Sequence, residues 1–403
     1  MSYFEEIKYP KALLDAFGRI RTSAPHTIFD SKQVFDAAPL FWDDVEESGS
    51  GTSSTYSVNA ASSTLAVGTT TAGKRTRQTF RRFNYQPGKG HRIMMTGNID
   101  RSGGGTGITR GLGYYDDDNG LFFLDDEGTM KVVQRSKATG SVVDDEVAQS
   151  SWNIDTMDGT GPSGITLDFT KAQIFAIEFE WLGVGSVWYG FVVNGTLYYV
   201  HRTDNANTKV TVFMSTPNLP LRYQIENDGT GASSGFETIC SSVQSEGGLE
   251  DTGAIFSVNT GATQCNANAV GTTYAVLGLR LKSANLGATV EVQSMSMMGT
   301  TTNDYFIWSL IFNPTVAGTF TYGDLTNSSL QTAQGDTTET VTGGTILNSG
   351  TGANQTSETN VLVSEIDLGA TVSGTVDEVV LCVTPVSGTN QNIHAAITWR
   401  ELT

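Results

Sequence analysis

Glu178 and Glu180 have the most chemistry to offer in this 403-residue chain. They stand two apart in a run where Phe175, Ile177, Phe179 and Trp181 alternate with Ile174, Ala176 and the two acids. That period is that of a half-buried strand, so both carboxylates leave one face, ~6.5–7 Å apart along the chain. Retaining glycoside hydrolysis wants carboxyl groups ~5–5.5 Å apart and inverting hydrolysis ~6.5–9.5 Å. Side-chain adjustment reaches either spacing, so the pair suits a hydrolytic site and a solvated strand face alike. The solvated face is the plainer reading, and no catalytic residue is assigned.

Two loops are rich in oxygen. Asp116-Asp117-Asp118-Asn119 offers ligands to calcium, but Gly120 follows, and hairpin turns are acidic for conformational reasons alone. No glutamate stands where an EF-hand loop needs its bidentate ligand. Asp155 and Asp158, with the glycines after them, pose the same choice. His26, His91, His201 and His394 are scattered and form no zinc-binding helix motif. Arg101-Ser-Gly-Gly-Gly-Thr-Gly lacks the Lys-Ser/Thr end of a phosphate loop, and no nucleophile elbow is present. Neither metal nor cofactor is expected, and the chain is not expected to be an enzyme.

Lys74, Arg75, Arg77, Arg81, Arg82, Lys89 and Arg92 form a basic block without an intervening acid, interleaved with Phe80, Phe83 and Tyr85. Such a pattern can hold nucleic acid. Here 24 basic residues face 42 acidic ones, a net charge of −18, so the block is expected to pair with acids of its own chain or of a neighbouring subunit. Neither nucleic acid nor membrane is an expected partner. No apolar run approaches the ~20 residues of a membrane span, and the opening Met1-Ser-Tyr-Phe-Glu-Glu is unlike a signal peptide. Cys240, Cys265 and Cys382 have no metal-ligand spacing and are expected as buried thiols of a protein made in a reducing cytoplasm.

Gly, Thr, Ser and Asn outweigh charged residues, which are only 16% of the chain, so the elements that position these groups are strands rather than long helices. Residues 9–22 alone look helical, with Leu13, Leu14 and Phe17 on one side and Ile20 beyond Gly18. Ile28, Phe29 and Phe35 follow in extended chain. Residues 46–73 read as a flexible loop or weak strands, and hairpins are expected at Asn119-Gly120, Glu127-Gly128 and Asn194-Gly195. In the last of these Val193 should face Thr196 and bring Trp188 near His201. Residues 250–403 carry further strands and a long polar loop over 324–360. The fold class is all-β: a jelly-roll sandwich over 46–248, a second β-sandwich over 249–403, and an arm over 1–45.

Several phrases carry a resemblance. Trp152-Asn-Ile-Asp, Asp158-Gly-Thr-Gly-Pro-Ser-Gly, Glu180-Trp-Leu-Gly-Val-Gly and Thr216-Pro-Asn-Leu-Pro resemble a module of virion proteins of tailed bacteriophages. The arm joins in through Asp15-Ala-Phe-Gly-Arg-Ile-Arg and Phe29-Asp-Ser-Lys-Gln, and the match runs to Ser245-Glu-Gly-Gly, about three fifths of the chain. The resemblance implies a concanavalin-like jelly roll over roughly residues 75–248. Glucanases of that fold use an acidic strand like that of Glu178 and Glu180, but their third acid is absent here. It also implies a structural virion protein, assembled in the host bacterial cytoplasm as a rotationally symmetric homo-oligomer. Other tail, adaptor or capsid proteins would be its partners, with a tail, baseplate or adaptor-attached position ahead of head decoration.

On this reading Leu13, Leu14, Phe17, Ile20, Ile28, Phe29 and Phe35 are the apolar anchors to a partner, and deletion of 1–36 should leave intact sandwiches that no longer join the particle. The rival function is a lectin-like receptor module, with Trp188, Tyr189, Tyr198 and Tyr199 stacking on a glycan.

Overall fold

The computed structural model describes residues 24–99, 105–300, 305–353 and 368–402, and the backbone of 358–361. The expected helix over 9–22, with Leu13, Leu14, Phe17 and Ile20, lies outside the described residues. Strands begin with β1 (His26–Lys32), β2 (Trp42–Gly49), β3 (Thr52–Ser57), β4 (Ser62–Val67) and β5 (Gly73–Thr79). Residues 46–73, expected as loop or weak strands, are therefore mostly strand. Leu65 and Val67 are buried there, and the small hydroxylated neighbours still alternate with them.

After β6 (His91–Asn98) the chain makes a meander of β7 (Ile108–Tyr115), β8 (Gly120–Asp126), β9 (Thr129–Ser136) and β10 (Val143–Ala148). Glu127 and Gly128 take the paired positive φ values, 49° and 91°, of a primed two-residue turn. Asn119-Gly120 does not form the primed turn expected. Four residues, Asp116 to Asn119, close that hairpin, and the Asp116 carboxylate accepts the N–H groups of Asp118 and Asn119 at 2.8 Å each. A side chain that caps the loop has displaced the two-residue solution.

The remaining strands of this unit are β11 (Gln173–Phe179), β12 (Ser186–Val193), β13 (Thr196–Asp204), β14 (Leu221–Asn227) and β15 (Ser234–Ser245). Asn194 and Gly195, at φ 51° and 78°, make the β12–β13 turn, and Val193 faces Thr196 as expected. A bulge then shifts the register between Tyr189 and Gly190, so Trp188 faces Arg202 and Tyr189 faces His201. One extra residue, Val200, accounts for the difference.

Antiparallel pairing orders these strands into two sheets. One runs β13-β12-β11-β6-β15-β4-β3, with β1 also on β15; the other runs β10-β9-β8-β7-β14-β5-β2. Their inner faces close on an aromatic layer in which Phe123 meets Phe175, Phe191 and Tyr189 at ring-centroid distances of 5.1, 5.1 and 5.6 Å. Tyr189 donates its hydroxyl to Val133 O at 2.8 Å, and Tyr114 donates to Pro217 O at 2.8 Å, so the polar tips are satisfied inside the core. The unit is an all-β sandwich of two antiparallel sheets, as expected. It starts earlier than expected: β1 pairs with β15, and residue 45 falls inside β2. Ile28 and Phe29, each only 8% exposed, belong to its core.

The second unit holds β16 (Ala254–Asn259), β17 (Cys265–Ala267), β18 (Tyr274–Leu281), β19 (Thr289–Gly299) and β20 (Tyr305–Phe312). Short pieces follow: β21 (Thr315–Val316), β22 (Gly323–Asp324), β23 (Leu330–Gln334) and β24 (Val341–Thr342). Then come β25 (Thr345–Ala353), β26 (Glu358–Val361), β27 (Glu378–Ser387) and β28 (Gln391–Leu402). Sheets β16-β28-β19-β26 and β22-β23-β18-β27-β20-β25 pack around Trp399, Trp308, Leu277 and Leu381. The polar loop expected over 324–360 is thus largely strand; Thr, Ser and Asn on β25 sit on a sheet edge where neutral polar side chains face water. Cys265 and Cys382 are buried, whereas Cys240 is exposed, against expectation, on the outer face of β15.

The two sandwiches are joined by more than the linker. Ala370 donates to Phe80 O at 3.0 Å and Val372 to the Asp43 carboxylate at 2.8 Å. Asn218, from the Thr216-Pro-Asn-Leu-Pro phrase, donates to Gly287 O at 2.9 Å, and Gln86 exchanges hydrogen bonds with the backbone of Glu250 at 2.6 and 3.0 Å. Gly369 lets the backbones meet, because a Cβ there would stand 2.2 Å from Phe80 O. Gly369→Val should lower unfolding stability by about 1–3 kcal/mol and expose Glu246 and Glu250 to glutamyl endopeptidase. Denaturant titration with timed digestion checks this; a variant as stable and as resistant as the parent would contradict the seam.

Candidate functional site

Five strands place one residue each in a row across the outer face of the first sheet. Arg202 on β13, Trp188 on β12, Glu178 on β11, Arg92 on β6 and Gln244 on β15 are successive register partners. They face outward because Phe179, Ile177, Ile93 and Val243 on the same strands take the inner face. The Arg92 guanidinium donates Nε–H to Glu178 and pairs through Nη2 with Glu246 at 2.7 Å. The Tyr199 hydroxyl donates to the other Glu178 oxygen. Burial, and then that hydrogen bond, raise the Tyr199 phenol, keeping it a donor. Burial, and then the nearby Glu178 charge, also raise the Glu246 carboxyl above its ordinary value, against the pull of Arg92.

Trp188 is contacted by the Arg202 guanidinium, 4.8 Å from its ring centroid, and by the Tyr199 ring at 5.1 Å. At the rim of the sheet these groups border a depression of about 180 Å³, lined by Glu178, Glu180, Glu246, Ser186, Trp188 and His91 among others. His91 points inward, packed on Tyr85 at 5.2 Å and Phe179 at 5.7 Å, and both of its ring nitrogens are buried without a hydrogen-bond partner. Loss of hydration pushes its pKa down to about 4.

Of the four aromatics considered for a glycan, Trp188 and Tyr199 come together here. Tyr189 does not: it is fully buried in the aromatic layer. Tyr198 packs half-buried against the core. Glu178 and Glu180 share a face as expected but are unalike. Each oxygen of Glu178 already accepts a hydrogen bond, from Arg92 or Tyr199, while Glu180 stands exposed just past the end of β11. Glu246, which completes the cluster, was not singled out from the sequence; its place beside Arg92, just past the end of β15, depends on the long-range pairing of β15 with β6.

The other acidic runs are occupied by their own surroundings. Asp116 pairs with Arg82, Asp117 with Arg222 and Asp118 with Lys137. Asp155 accepts the N–H groups of Met157 and Ser163, and Asp158 the N–H and hydroxyl of Thr160. Among the described residues no three His, Cys, Asp or Glu converge as a metal-ligand set. The basic block pairs largely with acids of its own chain: Lys74 with Glu47, Arg75 and Arg77 with Asp44, Arg82 with Asp116, and Arg92 with Glu178 and Glu246.

A second surface lies in the loop between β1 and β2. Phe35 is 90% exposed, and Val34, Leu40 and Phe41 are exposed beside it in sequence. The loop backbone is nevertheless tied down. Gln33 donates to Thr238 O and Ile239 O, its own carbonyl accepts from Tyr56, Asp36 caps the Ala38 N–H, and Arg77 holds Ala37 O. Of the expected anchors Phe35 is thus on the surface. Ile28 and Phe29 are not free to bind a partner, because the pairing of β1 turns them into the sandwich. Leu40 and Phe41 were missed, although two adjacent apolar residues after Pro39 were a visible signal.

Fold and surfaces define an all-β protein of two joined sandwiches. No protein-family model matches the chain, and no curated protein matches it. Among solved structures, the endo-1,3-β-glucanase from Streptomyces sioyaensis aligns at 10% identity and TM-score 0.37, over 57% of this chain and 99% of the other. The legume lectin-like domain from Entamoeba histolytica aligns at 10% identity and TM-score 0.30, over 51% and 89%. The CBM2 module of the evolved Dit of Lactobacillus casei BL23 phage J-1 aligns at 8% identity and TM-score 0.37, over 57% and 100%.

The buried His91 sets a pH dependence. Its folded pKa, about 4, lies below the unfolded value of 6.5, so the unfolded chain takes up a proton that the folded chain refuses. Stability should therefore fall between pH 6.5 and about 4, by about 3 kcal/mol at full effect. In His91→Phe the loss over this window should shrink by that amount in parallel denaturant titrations; equal losses in parent and variant would contradict the assignment.

Proposed function

We propose that this chain is a non-enzymatic structural component of a tailed-bacteriophage virion, working through protein–protein contacts in the tail, baseplate or adaptor-attached region. The observation that carries the reading is the loop between β1 and β2. It is fixed by three hydrogen bonds to its backbone and two from the Gln33 side chain, yet Val34, Phe35, Leu40 and Phe41 are left in water. Exposed apolar clusters on a rigid frame are what a protein interface needs, since little ordering entropy opposes docking. Residues 1–23, which carry the phage-like phrase with Leu13, Leu14, Phe17 and Ile20, precede the loop with β1 between them. The loop, joined by residues 1–23, would form the attachment end. The joined sandwiches would then project from it, repeated around the particle axis as a homo-oligomer.

The chemistry of the rest supports the same reading. Glu178 is engaged by Arg92 and Tyr199, and the acidic turns are held by cations or backbone N–H groups. A deletion of 1–36 would not test the proposal, because it removes β1 and with it Ile28 and Phe29 from the core. Removal of 1–23 alone, or Phe35→Ser with Leu40→Ser, leaves β1 and its core residues Ile28 and Phe29 in the chain. Either variant should reach purified particles at about a tenth of the parental copy number or less, as an interface hot spot lost costs ~2 kcal/mol or more. Quantitative mass spectrometry reads this, and normal incorporation of both variants would sink the proposal. Parental protein found on tailless heads would place it on the capsid instead.

A further inference from the structure

We infer that the outer edge of β25 is a self-association surface, where a second copy of this chain adds its own β25 and continues the sheet. The surface belongs to the second sandwich and is separate from the loop of Phe35, so the inference does not rest on the virion proposal. β25 ends its sheet: it pairs with β20, and among the described residues no strand pairs with its other side. A strand so placed points alternate N–H and C=O groups outward, a row that another extended chain completes.

Sheet edges are commonly blunted by charge or proline. In this protein β2, β10, β13, β22 and β26 each carry Asp or Glu. β25, Thr-Ile-Leu-Asn-Ser-Gly-Thr-Gly-Ala, carries no charge and no proline. The uncharged edges β3 and β16 are shorter and lie beside charges. Ser54 and Thr52 donate to Asp44 and Glu46, and Arg400, the register partner of Ile255, pairs with Asp251 and Glu291. A bulge at Leu347 disturbs one end of β25, but from Asn348 onward the register with β20 is regular.

The strand is also bare. A Cβ at Gly350 or Gly352 would stand 2.5 or 2.3 Å from the rings of Trp308 and Phe306, so both positions stay without a side chain. Glycine at alternate positions lets a neighbouring backbone approach closely. Ile307 on β20 and Ile346 on β25 are exposed beside this edge and add apolar contact.

Charge selects the occupant. Two copies at −18 each repel, so they meet closely only where neither surface is charged, and β20 and β25 contain no charged residue. Two identical strands laid antiparallel about a two-fold axis also give each other matching donors and acceptors.

Sedimentation velocity of the full chain over a wide concentration series tests this, with hydrogen exchange of the β25 amides read on the same samples. The chain should sediment at twice the mass of a single copy, with exchange in β25 slowing as concentration rises. Ser349→Lys with Thr351→Lys changes two exposed positions. It lowers the net negative charge, yet should weaken pairing about a hundredfold by setting like charges across the new ladder. Ser349→Glu with Thr351→Glu should do the same, and an equal mixture of the two variants should pair again, which unfolded variants could not do. Phe35→Ser with Leu40→Ser should pair like the parent, so failure here is distinct from failure of the virion proposal. A monomer throughout, or pairing that survives both double changes, would overturn the inference.

Discussion

Everything else in the first sandwich depends on the two-residue period of strands that bury one face. Phe175, Ile177 and Phe179 on β11, with Tyr189 and Phe191 beside them on β12, must meet Phe123 and Tyr114 across the gap between the sheets, which removes this aromatic surface from water. Once that layer is closed, Arg92, Glu178 and Trp188 have only the outer face left, and antiparallel pairing brings them into one row. A one-residue slip of β11 would turn Phe175, Ile177 and Phe179 towards water and bury the Glu178 carboxylate. The polar row is therefore a by-product of the hydrophobic one, and its precision is inherited from the core.

Charge decides what the outside can do. The chain carries −18 overall, and its main basic block is consumed internally by Asp44, Glu47, Asp116, Glu178 and Glu246. Arg110 and Asp125 go further and pair at 2.6 Å with both side chains fully buried, directly opposite each other on β7 and β8. Breaking such a pair leaves a buried charge uncompensated, so it constrains which strands can be neighbours. Among the described residues that block is therefore largely matched by acids of its own chain.

Local signals were readable where the structure is local. Glu127-Gly128 and Asn194-Gly195 make the turns their types demand, and the alternation around Glu178 gives the right faces. The departures come from interactions no window of sequence contains. Val200 adds a bulge that moves Trp188 from His201 to Arg202; the Asp116 side chain overrules Asn119-Gly120; and β1 pairs with β15 more than two hundred residues away, drawing Ile28 and Phe29 inside. Low-complexity Thr, Ser and Gly also hid strands at 52–67 and 345–353, because their weak hydrophobicity conceals a regular period. Of the candidate site, Glu178, Trp188 and Tyr199 were visible, whereas Glu246 and the partnerless His91 needed the fold.

The proposed virion role is tested most directly by cryo-electron microscopy of purified tailed-phage particles assembled in cells that make this chain. That role predicts density for both sandwiches at the portal, tail or baseplate, repeated by rotational symmetry, with Phe35 and Leu40 covered by a neighbouring protein. Particles that lack the chain, or that carry it with this loop open to solvent, would contradict it.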